Sequence, residues 1–210
     1  MGNIQLEEVP IPKFNSRQVL VRTAKTLISR GSELFRRYIA EEAVSPSIMG
    51  YSLTGIVEEI GSEVTEYHVG QRVMVVAPHA QYAIGDVDSL VKSSIMPLTE
   101  NISFEEGTFI EPLGCTVRGQ RRICLQPGDS VLVLGSGLAG LLNIRLALAL
   151  GAGCIVSTDL HPFRLQAAID SGARAGVNAG SPNVIEESVS VNDGCLFNHV
   201  IICTAASDAF

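Results

Sequence analysis

The sequence predicts a two-part protein: a β-rich N-terminal half, then an α/β half built on a doubly wound parallel sheet. Two observations carry this. Up to about residue 105, short runs rich in β-formers alternate with glycine and polar turns. After "LQPGD" (125–129), continuous apolar runs such as "VLVL" and "VIIC" alternate with helix-length segments, the pattern of strands buried on both faces.

The elements follow in order. "QVLVRTAKTLI" (18–28), "SLTGIVEEIG" (52–61) and "GQRVMVVA" (70–77) read as strands of a small barrel or sandwich. The period changes over 103–123, where Ser103 with Glu106 three residues later fits a capping box at a helix start. Beyond the turn come a strand at 130–135, a helix at 138–150 and a strand at 154–158. A helix near 162–171, a strand near 174–178, a helix at 182–190 and a strand at 198–203 complete the pattern.

Composition excludes several classes. The chain has 210 residues and a formal charge of -7, so nucleic acid and anionic membranes are not expected partners. The pairs Arg36-Arg37 and Arg121-Arg122 are too short to form a basic patch. The longest apolar segment is interrupted by Asn143 and Arg145, and the N-terminus has no basic start or apolar core of a signal peptide. Five well-separated cysteines (Cys115, Cys124, Cys154, Cys195, Cys203) form no CxxC pair and read as buried reduced thiols. The expected location is cytoplasmic.

The chemistry-bearing motif is Gly135-Ser136-Gly137-Leu138-Ala139-Gly140, a G-x-G-x-x-G that follows a strand and opens a helix. Asp159 ends the next strand, 24 positions after Gly135 (159 − 135). Gly135 allows the tight turn, Gly137 lets the backbone approach a pyrophosphate, and Gly140 lets helix and strand pack closely. Amides at the helix start, including those of Leu138 and Ala139, then face the phosphates. Asp159 accepts ribose hydroxyls and repels a 2′-phosphate, which favours NAD over NADP. Arg164 is close in sequence but lies in the next helix, where it could face solvent.

The order of these parts resembles the medium-chain dehydrogenase/reductase superfamily of alcohol and polyol dehydrogenases. The segments "IQLEEVPIPKFNSRQVLVRT", "GYSLTGIVEEIGSEVTEYHVGQRVMV", "FIEPLGCTVRG" and "GDSVLVLGSGLAGLL" carry the likeness. It implies a GroES-like β-barrel domain over 1–117 and a Rossmann domain over 118–210, with the active site in the cleft between them. It also implies that the C-terminal part of the Rossmann domain is missing, and that the full architecture forms a homo-oligomer.

The resemblance further implies which residues matter. Zinc-dependent members use Cys, His and Glu where this chain has Ser29, Tyr51 and Ser52. Only Glu111 remains at a ligand-type position, where it could equally be a structural carboxylate facing Arg30 or a backbone amide. Zinc prefers thiolate and imidazole, so no zinc is expected, and the family's four-cysteine lobe is absent from "RVMVVAPHAQYAIGD". In its place Tyr51 and Ser32 are candidate hydrogen-bond donors to a substrate oxygen. Tyr51 fits equally an ordinary half-buried barrel tyrosine, and Ser32 a turn beside Gly31. On the nicotinamide side, Thr204 in "CTAAS" (203–207) and Thr116, beside Cys115, are the expected cofactor-lining residues. No two histidines have ligand spacing.

The expected function is hydride transfer between NAD(P) and a small alcohol, aldehyde or ketone, without zinc. The alternative is a non-catalytic dinucleotide-binding or interaction protein that keeps the fold without the chemistry.

Overall fold

Alternation along the first strands builds the N-terminal core. In the computed structural model, which describes residues 6–34, 49–91 and 94–204, the strands are β1 (Gln18–Thr26), β2 (Leu53–Ile60), β3 (Arg72–Val75), β4 (Tyr82–Asp86) and β5 (Ile95–Pro97). Val19 and Val21, Leu53 and Val57, Val73 and Val75 are each at most 1% exposed and pack into one cluster. Their spacing of two or four residues puts them on the same sheet face. The sheet is antiparallel in the order β4-β1-β2-β3-β5. Irregularities in β1 at Leu20/Val21 and Thr23/Lys25 bend it. A bridge from Asp86 to Ser94 joins the end of β4 to the residue before β5, so the sheet curls towards closure.

Two short helices join this unit: α1 (Arg30–Leu34) and α2 (Phe104–Gly107). The predicted capping box is present: the Glu106 amide donates to Ser103 Oγ at 3.1 Å and the Ser103 amide donates to Glu106 Oε2 at 2.8 Å. The helical stretch expected over 103–123 is interrupted, because α2 ends at the Thr108 cap and α3 (Ile110–Ile123) starts anew. The expected strand over 18–28 ends at Thr26.

The second unit is a parallel sheet in the order β8-β7-β6-β9. Its strands are β6 (Ser130–Leu134), β7 (Cys154–Asp159), β8 (Ala175–Asn178) and β9 (His199–Ile202); its helices are α4 (Leu138–Ala149), α5 (Pro162–Asp170) and α6 (Val184–Val191). Every residue of β7 is buried. Ile155 packs with Val131, Val133, Ile144, Ala147 and Ala168 on one face, while its neighbours Cys154 and Val156 pack with Val177, Val184 and Val191 on the other. Both faces are covered, which is why these strands read as unbroken apolar runs. The chain runs outward from β6 through β7 to β8, then crosses to β9 on the other side of β6. That reversal is a topological switch point.

The compact units are Met1–Glu111 and Pro112–Phe210, with α3 running through the boundary. No helix among the described residues is long and apolar enough to cross a membrane.

The cysteine expectation is corrected. All five are free thiols, but only Cys154 is buried; Cys115, Cys124 and Cys195 are exposed and Cys203 is intermediate. Cys115 lies on an outward position of α3, and Cys124 takes a positive φ of 52° just beyond that helix, so neither reaches a core. Burial lifts the Cys203 thiol to about 11 despite a hydrogen bond from Asn143, so it stays a thiol at neutral pH.

Candidate functional site

The glycine loop lies between the end of β6 and the start of α4. Gly135 has φ +98°, and an added Cβ would stand 3.0 Å from the Cys203 carbonyl oxygen. A Cβ on Gly140 would stand 1.9 Å from the Gly135 carbonyl oxygen, so this residue permits the close packing of helix against strand. Gly137 caps α4 without a side-chain hydrogen bond, and a Cβ there would meet nothing within 4 Å. Open space therefore faces the loop at the helix start. The first-turn amides of an α-helix have no acceptor within the helix, and its dipole makes that end attractive to an anion. Gly137, Leu138 and Ala139 thus form a cradle that a pyrophosphate fits.

Asp159 at the end of β7 is tied into this loop. Its Oδ2 accepts the Ser136 amide at 3.0 Å, and its Oδ1 accepts the His161 amide at 3.0 Å. Arg164 Nη1 stands 3.4 Å from Oδ2, with the Arg164 side chain 27% exposed and that of Asp159 7%. The guanidinium also lies 5.7 Å from the centre of the Phe163 ring. Arg164 is therefore paired and partly covered, which decides between the two placements the sequence left open. Beneath the loop, Ser136 and Ser157 share a buried hydrogen bond at 2.8 Å.

Thr204 reaches the same place. Its Cβ would be 3.2 Å from a Cβ on Gly135, so it borders the glycine turn. Ser207, in the same motif, lies outside the described residues. Thr116 is buried, and its hydroxyl donates to the Pro112 carbonyl at 3.1 Å within α3. A further buried chain was not foreseen: Gln120 Nε2 donates to Asn143 Oδ1 at 3.1 Å, and Asn143 Nδ2 donates to Cys203 Sγ at 3.5 Å. Its members are far apart in sequence, and no motif marks them.

In the N-terminal unit, Tyr51 is half-buried just before β2 and Ser32 is exposed. Ser32 belongs to helix α1 and not to a turn beside Gly31. Glu111 is half-buried in the first turn of α3. The Ser52 hydroxyl is fully buried and donates to the Thr108 carbonyl at 2.7 Å, which commits it to holding β2 against the chain after α2. At the positions where the resemblance places metal ligands stand two serines, a tyrosine and one carboxylate, a set without the thiolate or imidazole that zinc prefers. Among the described residues, no three of His, Cys, Asp or Glu gather as a metal site.

Sequence reasoning missed the pair at Glu33. This carboxylate is 6% exposed; Oε1 accepts the Ser29 amide at 2.7 Å, and Oε2 lies 3.1 Å from His79 Nε2. The partners are 46 residues apart. Their only sequence signal is an acid on a short helix, too common to single out. Arg36 and Arg37 lie outside the described residues.

Comparisons with known proteins agree with this architecture. Residues 15–111 match the alcohol dehydrogenase GroES-like domain. Sorbitol dehydrogenase of Bacillus subtilis is 29% identical over 90% of this chain and 62% of its own length. L-threonine 3-dehydrogenase of Rhizobium etli is 26% identical over 98% of this chain and 67% of its own. Among solved structures, galactitol-1-phosphate dehydrogenase from Escherichia coli superposes with a TM-score of 0.84 at 23% identity, over 98% of this chain and 66% of that one. The chain therefore spans about two thirds of the length of these relatives.

Proposed function

We propose that this chain, whose residues 15–111 match the alcohol dehydrogenase GroES-like domain, belongs to the medium-chain dehydrogenase/reductase superfamily and is the cofactor-binding and barrel portion of an alcohol- or polyol-type oxidoreductase. The observation that carries the reading is the open cradle at Gly137, bounded by Gly135, Gly140 and the Asp159 carboxylate. When bound there, a nicotinamide dinucleotide supplies the hydride donor or acceptor. The amides of Gly137, Leu138 and Ala139 hold its pyrophosphate, and Asp159 orients the adenosine ribose. Thr204 and Thr116 line the nicotinamide end. NAD is the primary form, because a carboxylate stands where the ribose is read.

The substrate class is a small alcohol, aldehyde or ketone, as the names of the relatives suggest for those proteins. The chemistry proceeds without zinc on the donor argument above. Tyr51 and Ser32 supply the hydroxyl donors that would stabilise a developing alkoxide. A homo-oligomer is the expected assembly.

A second reading keeps dinucleotide binding but no turnover, and it is favoured by one observation: the Ser52 hydroxyl is committed to the Thr108 carbonyl. NADH oxidation and NAD reduction followed at 340 nm across polyols, aldehydes and ketones, with zinc content measured alongside, separate the two. Turnover by a zinc-free preparation supports the first. A blank screen by protein that binds NADH supports the second, and stoichiometric zinc overturns the donor argument.

A further inference from the structure

We propose that the buried Glu33–His79 pair is a positioning device for the hydroxyl donors Ser32 and Tyr51, so that His79 governs the rate of hydride transfer without touching substrate. The proposal rests on the oxidoreductase reading above and adds two residues to that site.

The pair joins three stretches that are distant in sequence and has a donor beside each end. Glu33 follows Ser32 in α1, and its Oε1 accepts the Ser29 amide at 2.7 Å, which braces the start of that helix. Its Oε2 lies 3.1 Å from His79 Nε2. His79 in turn lies against Gly50: its amide donates to the Met49 carbonyl, and a Cβ on Gly50 would stand 2.6 Å from His79 Nδ1. Gly50 has φ +98°, so both the ring and the backbone restrict that position to glycine. Tyr51 follows directly. On its other side the Ser52 hydroxyl donates to the Thr108 carbonyl at 2.7 Å. Tyr51 therefore leaves the chain between two fixed points, the His79 ring before it and the Ser52 bond after it.

Stability alone accounts poorly for this arrangement. Glu33 is 6% exposed, and a carboxylate that deep costs free energy that apolar residues of similar volume would not. With Oε2 as the acceptor, the ring proton sits on Nε2 and Nδ1 keeps a lone pair. Nδ1 is buried and has no hydrogen-bond partner among the described residues, a second cost. What the pair supplies is direction, because a hydrogen bond orients the imidazole in a way that an apolar contact does not. Hydroxyls that stabilise a developing alkoxide are effective only when they are aimed before the charge forms. The turn that the ring presses on and the helix that the carboxylate braces are the two segments that carry those hydroxyls.

The test compares the 210-residue wild type with His79→Gln, whose amide N–H replaces Nε2–H towards Glu33, and with His79→Ala. For each, kcat and KM with NADH are measured for acetoin, fructose and cyclohexanone, alongside a thermal melt. A carbon NMR spectrum is recorded on protein labelled at tyrosine Cζ, with Tyr51→Phe assigning the Tyr51 resonance. His79→Ala should lower kcat by about tenfold to a hundredfold while KM changes by under about threefold. Its Tyr51 resonance should shift while those of Tyr67 and Tyr82 stay, and His79→Gln should recover most of kcat. An unchanged kcat or an unmoved Tyr51 resonance in a folded His79→Ala chain overturns the proposal, and so does a loss confined to KM. Should His79→Ala not melt cooperatively, Glu33→Gln, which keeps an oxygen for the Ser29 amide, is read by the same criteria. A folded wild type without turnover on any of the three sinks the oxidoreductase reading itself, and this proposal with it.

Discussion

The Ser136 amide donates to Asp159 Oδ2 at 3.0 Å, so the acid at the end of one strand holds the glycine loop that follows its neighbour. This contact gives Asp159 a structural role in addition to any contact with ribose. Asp159→Ala removes a charge-assisted acceptor worth about 1.5–3 kcal/mol to the loop. Both thermal stability and NADH affinity should fall, the latter by about tenfold to a hundredfold by calorimetry. A chain that loses affinity with an unchanged melting temperature would show that Asp159 serves only the ligand.

Gly137 and Gly140 should separate binding from folding. Gly140→Ala puts a Cβ 1.9 Å from the Gly135 carbonyl oxygen, an overpacking expected to cost about 3 kcal/mol or more. Gly137→Ala meets nothing within 4 Å, so denaturant unfolding should change by under about 1 kcal/mol. The methyl group would instead occupy the cradle, and NADH affinity should fall. Equal stability losses in the two variants would contradict the assignment of Gly137 to the ligand.

Glu33 joins the Ser29 amide to the His79 ring in a buried setting. Glu33→Ala leaves two polar groups without their acceptor and should destabilise the N-terminal unit by about 2–4 kcal/mol, read from denaturant unfolding. Glu33→Gln retains a hydrogen-bonding oxygen and should cost less. A loss of under about 0.5 kcal/mol in the alanine variant would mean that water replaces the pair.

Acid stability should depend on Glu66. Its hydrogen bond from Arg17, aided by the Thr65 amide, holds the carboxyl at about 2 against an ordinary 4.5. A folded value below the unfolded one stabilises the native chain above pH 4.5, and that stability is lost as pH falls through 2. Glu66→Gln should therefore melt lower than the wild type near pH 6, and the gap should close as the pH approaches 2. A gap independent of pH would assign the loss to packing.

The second unit was the more legible from sequence because its cues are local. Buried-on-both-faces strands leave continuous apolar runs, and the glycine turn must have small residues wherever backbone meets backbone, as Gly140 against Gly135 shows. The capping box at Ser103 was equally local, its partners three residues apart. The break between α2 and α3 was not visible, since the residues on either side keep a helical period while Thr108 closes the first helix. Nor was the exposure of Cys115, Cys124 and Cys195, because a residue type gives only a tendency to be buried.

By itself the sequence determined the first three strands of the N-terminal unit, the strand and helix pattern of the second, the glycine loop and the acid at Asp159, while β4, β5 and α1 left no cue that was read. These follow from side-chain chemistry and from spacings of a few residues. Only the tertiary structure decided that Asp159 holds the loop, that Arg164 turns back to Asp159, that Ser52 is committed to Thr108, and that Glu33 meets His79. Each depends on the direction in which a side chain leaves its backbone. Sheet pairing and helix packing set that direction: three of the four join groups 23 to 56 residues apart, and even the five residues between Asp159 and Arg164 span the turn from β7 into α5.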